Sequence, residues 1–301
     1  MHPSVEIGPV RLYHGDRNGK YPDGNQVIVQ GANLRAVFDS PLVANLIGPH
    51  YDGADLVIQG HVHEDHVTGL HRIPHVPIYA HEADLPALQS WEGLAAAYGY
   101  DESVFQAMRE SIERDFGFQP RPDAMGYQDG AQWDLGGGVV VRAIHAPGHT
   151  SGHSILLVEP VGVAFIGDID LSGFGPYYGD LTSNLGDFRR TLQRLPELDA
   201  TTWITSHHRG IYSDRQQFLQ DLAEIAAKID LREQRLLEHL EQGPQTLEQL
   251  TAKRILYKPD AEGVWIEDAE RRTISMHLAE LLDAGRVTRD ANHRYLLAHG
   301  N

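Results

Sequence analysis

Residues 59–69 read QGHVHEDHVTG and carry His61, His63, Glu64, Asp65 and His66 within six positions. Imidazoles and carboxylates at that density are the donor set of a divalent cation, and with no cysteine in the chain any metal must be held by nitrogen and oxygen. In extended or turning backbone alternate side chains point the same way, so His61 and His63 can approach one ion while Asp65 and His66 face a neighbouring one. Three later stretches offer partners. HAPGHTSGHS puts His149 on a Pro-Gly turn, VAFIGDID puts Asp168 after an apolar run, and TTWITSHHRG ends on His207 and His208. His61, His63, Asp65, His66, His149, Asp168 and His207 are thus the candidate ligands, with His208 the alternative to His207.

These side chains need elements to aim them. Short β-branched runs bounded by Gly, Pro or Asp predict strands at 27–30, 34–38, 56–58, 76–79, 139–144, 154–158, 163–166 and 202–205, and the candidate ligands follow their ends. Between Glu82 and Phe118 the apolar spacing changes to three and four, which predicts a helical insert; further helices are expected at 187–195 and from Asp214 onward. The tail from about residue 230 reads helix, helix, helix and a short hairpin, the order of a winged-helix unit.

Composition bounds the partners. A chain of 301 residues with 41% hydrophobic and 22% charged residues is ordinary for a globular protein, and no apolar run is long enough to span a membrane. The start MHPSVEIGPV lacks the pattern of a signal peptide, so a cytoplasmic location is expected. The net charge of −17 disfavours loose attachment to nucleic acid. From Leu231 onward there are 10 Lys and Arg against 12 Asp and Glu, so the tail lacks a basic footprint and reads equally as a packing or homodimer element.

HVHEDH, PGHTSGH, GDID and ITSHH, in that order and each at a strand end, resemble the metal-binding signature of the metallo-β-lactamase superfamily. That resemblance implies an α/β (α+β) fold, an αββα sandwich with its active site at the edge of two sheets. LRAVFDSP resembles the family's early strand ending in Asp, which makes Asp39 a support for a ligand. LREQRLLEHLEQGPQTLEQL and ISMHLAELLDAGRV resemble the winged-helix extension of a subgroup that includes a β-lactamase-like endoribonuclease and hydroxyacylglutathione-hydrolase-like proteins. The implied organisation is a catalytic domain over 1–225, with the insert at about 82–118, and a winged-helix-like domain over 226–301.

By the same resemblance His61, His63 and His149 hold a first metal, Asp65, His66 and His207 a second, and Asp168 bridges them. The implied cofactors are two divalent ions, zinc first with manganese or iron as alternatives, and the nucleophile is a bridging hydroxide. Asp65 and Asp168 are the expected catalytic carboxylates, Asp65 as a proton acceptor. The expected activity is hydrolysis of a small thioester, lactone or ester; an endoribonuclease or phosphodiesterase, or a mononuclear iron persulfide dioxygenase, are the alternatives. Glu64 reads as solvated or as support, His81, His145 and His153 as packing or hydrogen-bonding groups, and Tyr177 and Tyr178 as phenols that could face substrate.

Overall fold

The computed structural model of the chain describes residues 3–298. Two mixed sheets face one another. The first runs in sequence order, β1 (Ser4–Ile7), β2 (Val10–Tyr13), β3 (Gln26–Gln30), β4 (Arg35–Phe38), β5 (Leu56–Ile58), β6 (Ile78–His81) and β7 (Met125–Tyr127). Its pairing is antiparallel up to β4 and parallel from β4 onward. The second holds β8 (Gln132–Gly136), β9 (Val139–His145), β10 (Ser154–Glu159), β11 (Val163–Phe165), β12 (Thr202–Ile204) and β13 (Ile211–Tyr212), in the order β13-β12-β11-β10-β9-β8.

Alternation along each strand explains the layering. Val27, Val29, Leu56 and Ile58 point to the other sheet and meet Leu156, Val158 and Phe165, whereas Ile28 and Val57 point outward. The strands are buried on both faces because helices cover them. On the first sheet these are α1 (Pro49–Asp52), α2 (Leu85–Gln89), α3 (Trp91–Tyr98) and α4 (Glu102–Ser111); on the second, α5 (Leu185–Arg194) and α6 (Arg215–Leu240). This is the αββα sandwich, and each fully buried Leu, Ile, Val or Phe in it contributes about 1.5–3 kcal/mol. The helical insert stands where it is expected, and α4 runs on through a π-type turn to Phe116.

After α6 come α7 (Leu247–Thr251), α8 (Ile266–Asp283) and the hairpin β14 (Val287–Arg289) and β15 (Tyr295–Leu297), with Gln245 bridged to Tyr295. They enclose their own core of Leu236, Leu240, Leu250, Ile274, Leu278 and Val287. Position 225 lies inside α6, which continues unbroken from the sandwich into the tail. Among the described residues no helix is long and apolar enough to cross a membrane.

Candidate metal centre

The parallel pairs β4–β5 and β11–β12 end at one edge of the sandwich, and the loops that leave them carry the chemistry. Asp39 follows β4, His61 to His66 follow β5, His149 follows β9, Asp168 follows β11 and His207 follows β12. Gly167 has φ +56°, and a Cβ there would come within 2.5 Å of His153 Nε2, so only glycine lets the chain turn Asp168 into the edge. His208 takes φ +61°, and this sharp turn separates it from its neighbour. His207 lies in the cluster and is buried, while His208 is half-buried on the cavity wall.

All seven candidate ligands come together. Donor atoms of His61, His63, His149 and Asp168 lie within 4.8 Å of one another, and so do those of Asp65, His66 and His207. Asp168 faces both groups: Oδ2 is 3.8 Å from His61 Nε2 and 3.5 Å from His149 Nε2, while Oδ1 is 3.2 Å from His66 Nε2 and 3.5 Å from His207 Nε2.

Hydrogen bonds on the far side of each ring assign its tautomer. His66 Nδ1–H donates to Asp39 Oδ2 at 2.8 Å, His149 Nδ1–H to the Tyr177 carbonyl at 3.0 Å, and His207 Nδ1–H to the carbonyls of Gly19 and Asp23 at 2.7 and 2.9 Å. His63 is reversed: Nε2–H donates to Asp180 Oδ2 at 3.0 Å and Nδ1 turns inward, 3.0 Å from His149 Nε2. Each of these four rings therefore turns its other nitrogen to the centre. His61 Nδ1 and Nε2, His66 Nε2 and Asp168 Oδ1 are buried with no hydrogen-bond partner, which fits a donor set built for cations. His153, by contrast, is saturated: Nδ1–H donates to the Ala146 carbonyl and Nε2 accepts the Asp168 N–H.

The electrostatics divide the set, with His61 and His149 lowered and His63, His66 and His207 raised by the carboxylates beside them. Burial, then neighbouring imidazoles, pushes His149 down to about 4 and His61 well below its usual value, so both are neutral and able to donate a lone pair. For His66 and His207 burial pushes the same way, but the surrounding carboxylates outweigh it and hold both well above the ordinary value. Burial opposes ionisation of Asp168, yet His66, His207 and His61 keep it well below the carboxylate range. The pocket's carboxylates demand positive charge at this point.

Asp84, Asp170 and Asp180 were not singled out from the sequence. Asp84 accepts the Thr150 hydroxyl at 2.6 Å, the Gly152 N–H at 2.7 Å and the Val62 N–H at 3.3 Å, tying the His149 loop to the His61–His66 loop. Asp180 accepts from His63, Tyr100 and Tyr177. Glu64 is half-buried on the cavity wall and accepts from the Tyr98 and Tyr21 hydroxyls. Asp170 lies beside Asp168 and His207 with a buried, unpaired Oδ1, and burial pushes it up to about 7. Tyr178 points away from the centre to His277 Nε2, 3.0 Å away, whereas Tyr177 lines the cavity. His81 and His145 stack on one another at 4.2 Å. A separate group, Glu233, His277 and Glu280, has the spacing of a cation site, but Arg189 and Arg286 already neutralise its carboxylates and would repel a metal.

A cavity of about 400 Å³ opens over the centre, and its wall includes His63, Asp65, His149, Asp168, Asp170 and His207. Tyr257 and Trp265 of the tail complete its rim.

The family profile described as Metallo-beta-lactamase superfamily matches residues 53–207, half of the chain. Among curated proteins the chain is 27% identical over 164 residues to an atrochrysone carboxyl ACP thioesterase of Pseudocercospora fijiensis (strain CIRAD86), covering 54% of this chain and 46% of that protein. It is 24% identical over 161 residues to a beta-lactamase-like protein 2 homolog of Drosophila melanogaster, covering 52% and 51%. The chain spans about half the length of these relatives. Its fold is shared with a beta-lactamase domain protein from Burkholderia ambifaria, with TM-score 0.70, 16% identity and coverage of 98% and 94%. It is shared too with a metallo-beta-lactamase family protein from Thermus thermophilus, with TM-score 0.66, 23% identity and coverage of 91% and 93%. Histidine and aspartate clusters suited to metal, at the sheet edge of an αββα sandwich whose residues 53–207 carry that profile, make this chain a member of the metallo-beta-lactamase superfamily.

Proposed function

We propose that the chain is a two-metal hydrolase of a small thioester, lactone or ester. The observation that carries this reading is the division of Asp168, with one carboxylate oxygen turned to His61 and His149 and the other to His66 and His207. On this reading His61, His63 and His149 would hold one cation, Asp65, His66 and His207 a second, and Asp168 both. A nitrogen-rich donor set without sulfur suits zinc, with manganese or iron as alternatives. When bound, two divalent cations would lower the pKa of water towards neutrality and stabilise negative charge developing on a carbonyl oxygen.

The chain's own groups do the rest. Asp65 stays ionised, since His66 and His207 outweigh the effect of its burial, and this supports a role as proton acceptor. Asp39, Asp180 and the carbonyls of Tyr177, Gly19 and Asp23 hold the imidazoles in orientation, so little rearrangement is needed at the moment of reaction. The similarity to an ACP thioesterase adds weight to the thioester class.

Charge on the cavity wall argues against the nuclease alternative. Among the described residues, Lys20 is the single Lys or Arg on that wall, where a phosphodiester backbone would call for several. We take residues 226–301 as a winged-helix-like unit whose part in this chain is to close the cavity. A screen of thioesters, lactones, esters, phosphodiesters and single-stranded RNA tests the reading. Acyl substrates should be turned over, with activity lost on chelation and restored by zinc or manganese; turnover of RNA or phosphodiesters alone would reject it.

A further inference from the structure

The wall of the cavity away from the candidate metal centre is apolar and aromatic. On one side α4 and its π-type extension present Met108, Ile112 and Phe116, spaced four apart on one face. On the other stand Phe174, from the loop after Asp168, and Tyr257 and Trp265 from the tail. The tail residues are held in place. Buried Glu270 accepts the N–H groups of Ile255, Leu256 and Tyr257 at 3.0, 2.9 and 2.6 Å, fixing the backbone that carries the Tyr257 ring. Trp265 Nε1–H donates to the Tyr257 hydroxyl at 3.3 Å, and the Tyr257 ring packs on Phe174 at 5.6 Å. Buried Arg232 of α6 donates to the carbonyls of Phe174 and Pro176, fastening that loop to the tail.

Resting on the hydrolase reading above, we propose that the substrate is an ester or thioester of an apolar acyl group, medium-chain or aromatic, and that Tyr257 and Trp265 of the C-terminal unit set its size. A cavity of about 400 Å³ falls in the range of small-molecule sites, and its apolar wall gives an acyl chain a surface against which to leave water. The single lysine on that wall does not match a polyphosphate-bearing group, so recognition comes from the acyl part. In the reaction the oxygen of water bonds to the carbonyl carbon and the carbon–sulfur or carbon–oxygen bond breaks. Its electron pair leaves on the sulfur or oxygen with a proton from the same water, giving a carboxylic acid and a thiol or alcohol. Trp265 and Tyr257 take no part in that exchange; they act on which acyl group is seated.

The test uses the purified 301-residue chain loaded with zinc or manganese. Acetyl, butanoyl, hexanoyl and decanoyl thioesters of N-acetylcysteamine are assayed, and binding is measured for ketone analogues in which a methylene replaces the sulfur. Affinity for the ketones and kcat/KM for the thioesters should each rise about fourfold per methylene until the cavity is filled. Trp265→Ala should shift the preferred acyl group to longer or bulkier ones. Ser111→Phe, which narrows the opposite wall, should shift it to shorter ones and serves if Trp265→Ala does not fold. Ketone affinities that do not change with chain length, or a preference that neither variant moves, would overturn the proposal. Ketone binding that tightens with length without hydrolysis of any thioester would instead uphold the apolar pocket and reject the hydrolase reading.

Discussion

Asp39 and His66 lie 2.8 Å apart through Oδ2 and Nδ1, and the other oxygen of Asp39 accepts the Gly60 N–H at 2.7 Å. One carboxylate thus orients an imidazole and fixes the start of the loop that bears it. Asp39→Asn keeps the shape but sets an amide N–H group in competition with the ring N–H. Metal affinity should fall by about 10–100-fold with the fold intact, measured by competition with a chromophoric chelator. Unchanged affinity would remove Asp39 from the support of the centre.

Asp84 binds the two candidate-ligand loops to each other through Val62, Thr150 and Gly152. Asp84→Ala leaves a buried hydroxyl and two N–H groups unpaired, and should cost about 3 kcal/mol, read as a lower midpoint in denaturant unfolding. Metal content should fall with it, because the His149 loop loses its tie to the first.

Arg232 supports the cavity from behind. Arg232→Met removes the donors to Phe174 and Pro176 and the contact of the guanidinium with the Tyr178 ring at 5.2 Å. Metal affinity and kcat/KM should fall together, kcat/KM by about tenfold or more, since the loosened loop carries the Tyr177 carbonyl that orients His149. Unchanged metal affinity and turnover in this variant would show that Arg232 does not brace the loop.

His277 is fully buried and hydrogen-bonded to Tyr178, and burial, followed by Arg189 and Arg232, pushes it down to about 3. In the unfolded chain it protonates near the ordinary value of about 6.5, so between those values the unfolded state binds the extra proton. Stability should therefore fall as pH drops below about 6.5, by up to about 1.4 kcal/mol per pH unit from this group. His277→Gln should flatten that slope in denaturant melts recorded from pH 7 to 5; an unaltered slope would contradict the assignment.

What was legible in the sequence is what depends on neighbours along the chain. His61, His63, Asp65 and His66 share one turn after β5, and His149, Asp168 and His207 each follow a strand, so local pattern was enough to find them. The supports were less visible because their partners are remote. Asp180 meets His63 across 117 positions, and Asp84 meets Thr150 across 66. The HGDRNGKYPDG segment presents the Gly19 and Asp23 carbonyls to His207 across 188 and 184 positions. β1 also escaped, since exposed Ser4, Val5 and Glu6 offer no apolar alternation to mark a strand, and so did β2, which is only four residues long. The tail's charge suggested a packing element, and no residue within it announced that Tyr257 and Trp265 reach the cavity.

A single carboxylate serving two cations is the feature on which the proposed chemistry turns. Elemental analysis of the wild-type chain and of Asp168→Ala, run alongside thioester or lactone hydrolysis, reads it out. Two zinc or manganese ions per wild-type chain are expected, with metal content and turnover falling together in the variant. One ion per wild-type chain, or an Asp168→Ala protein that keeps both full loading and activity, would refute the shared bridge.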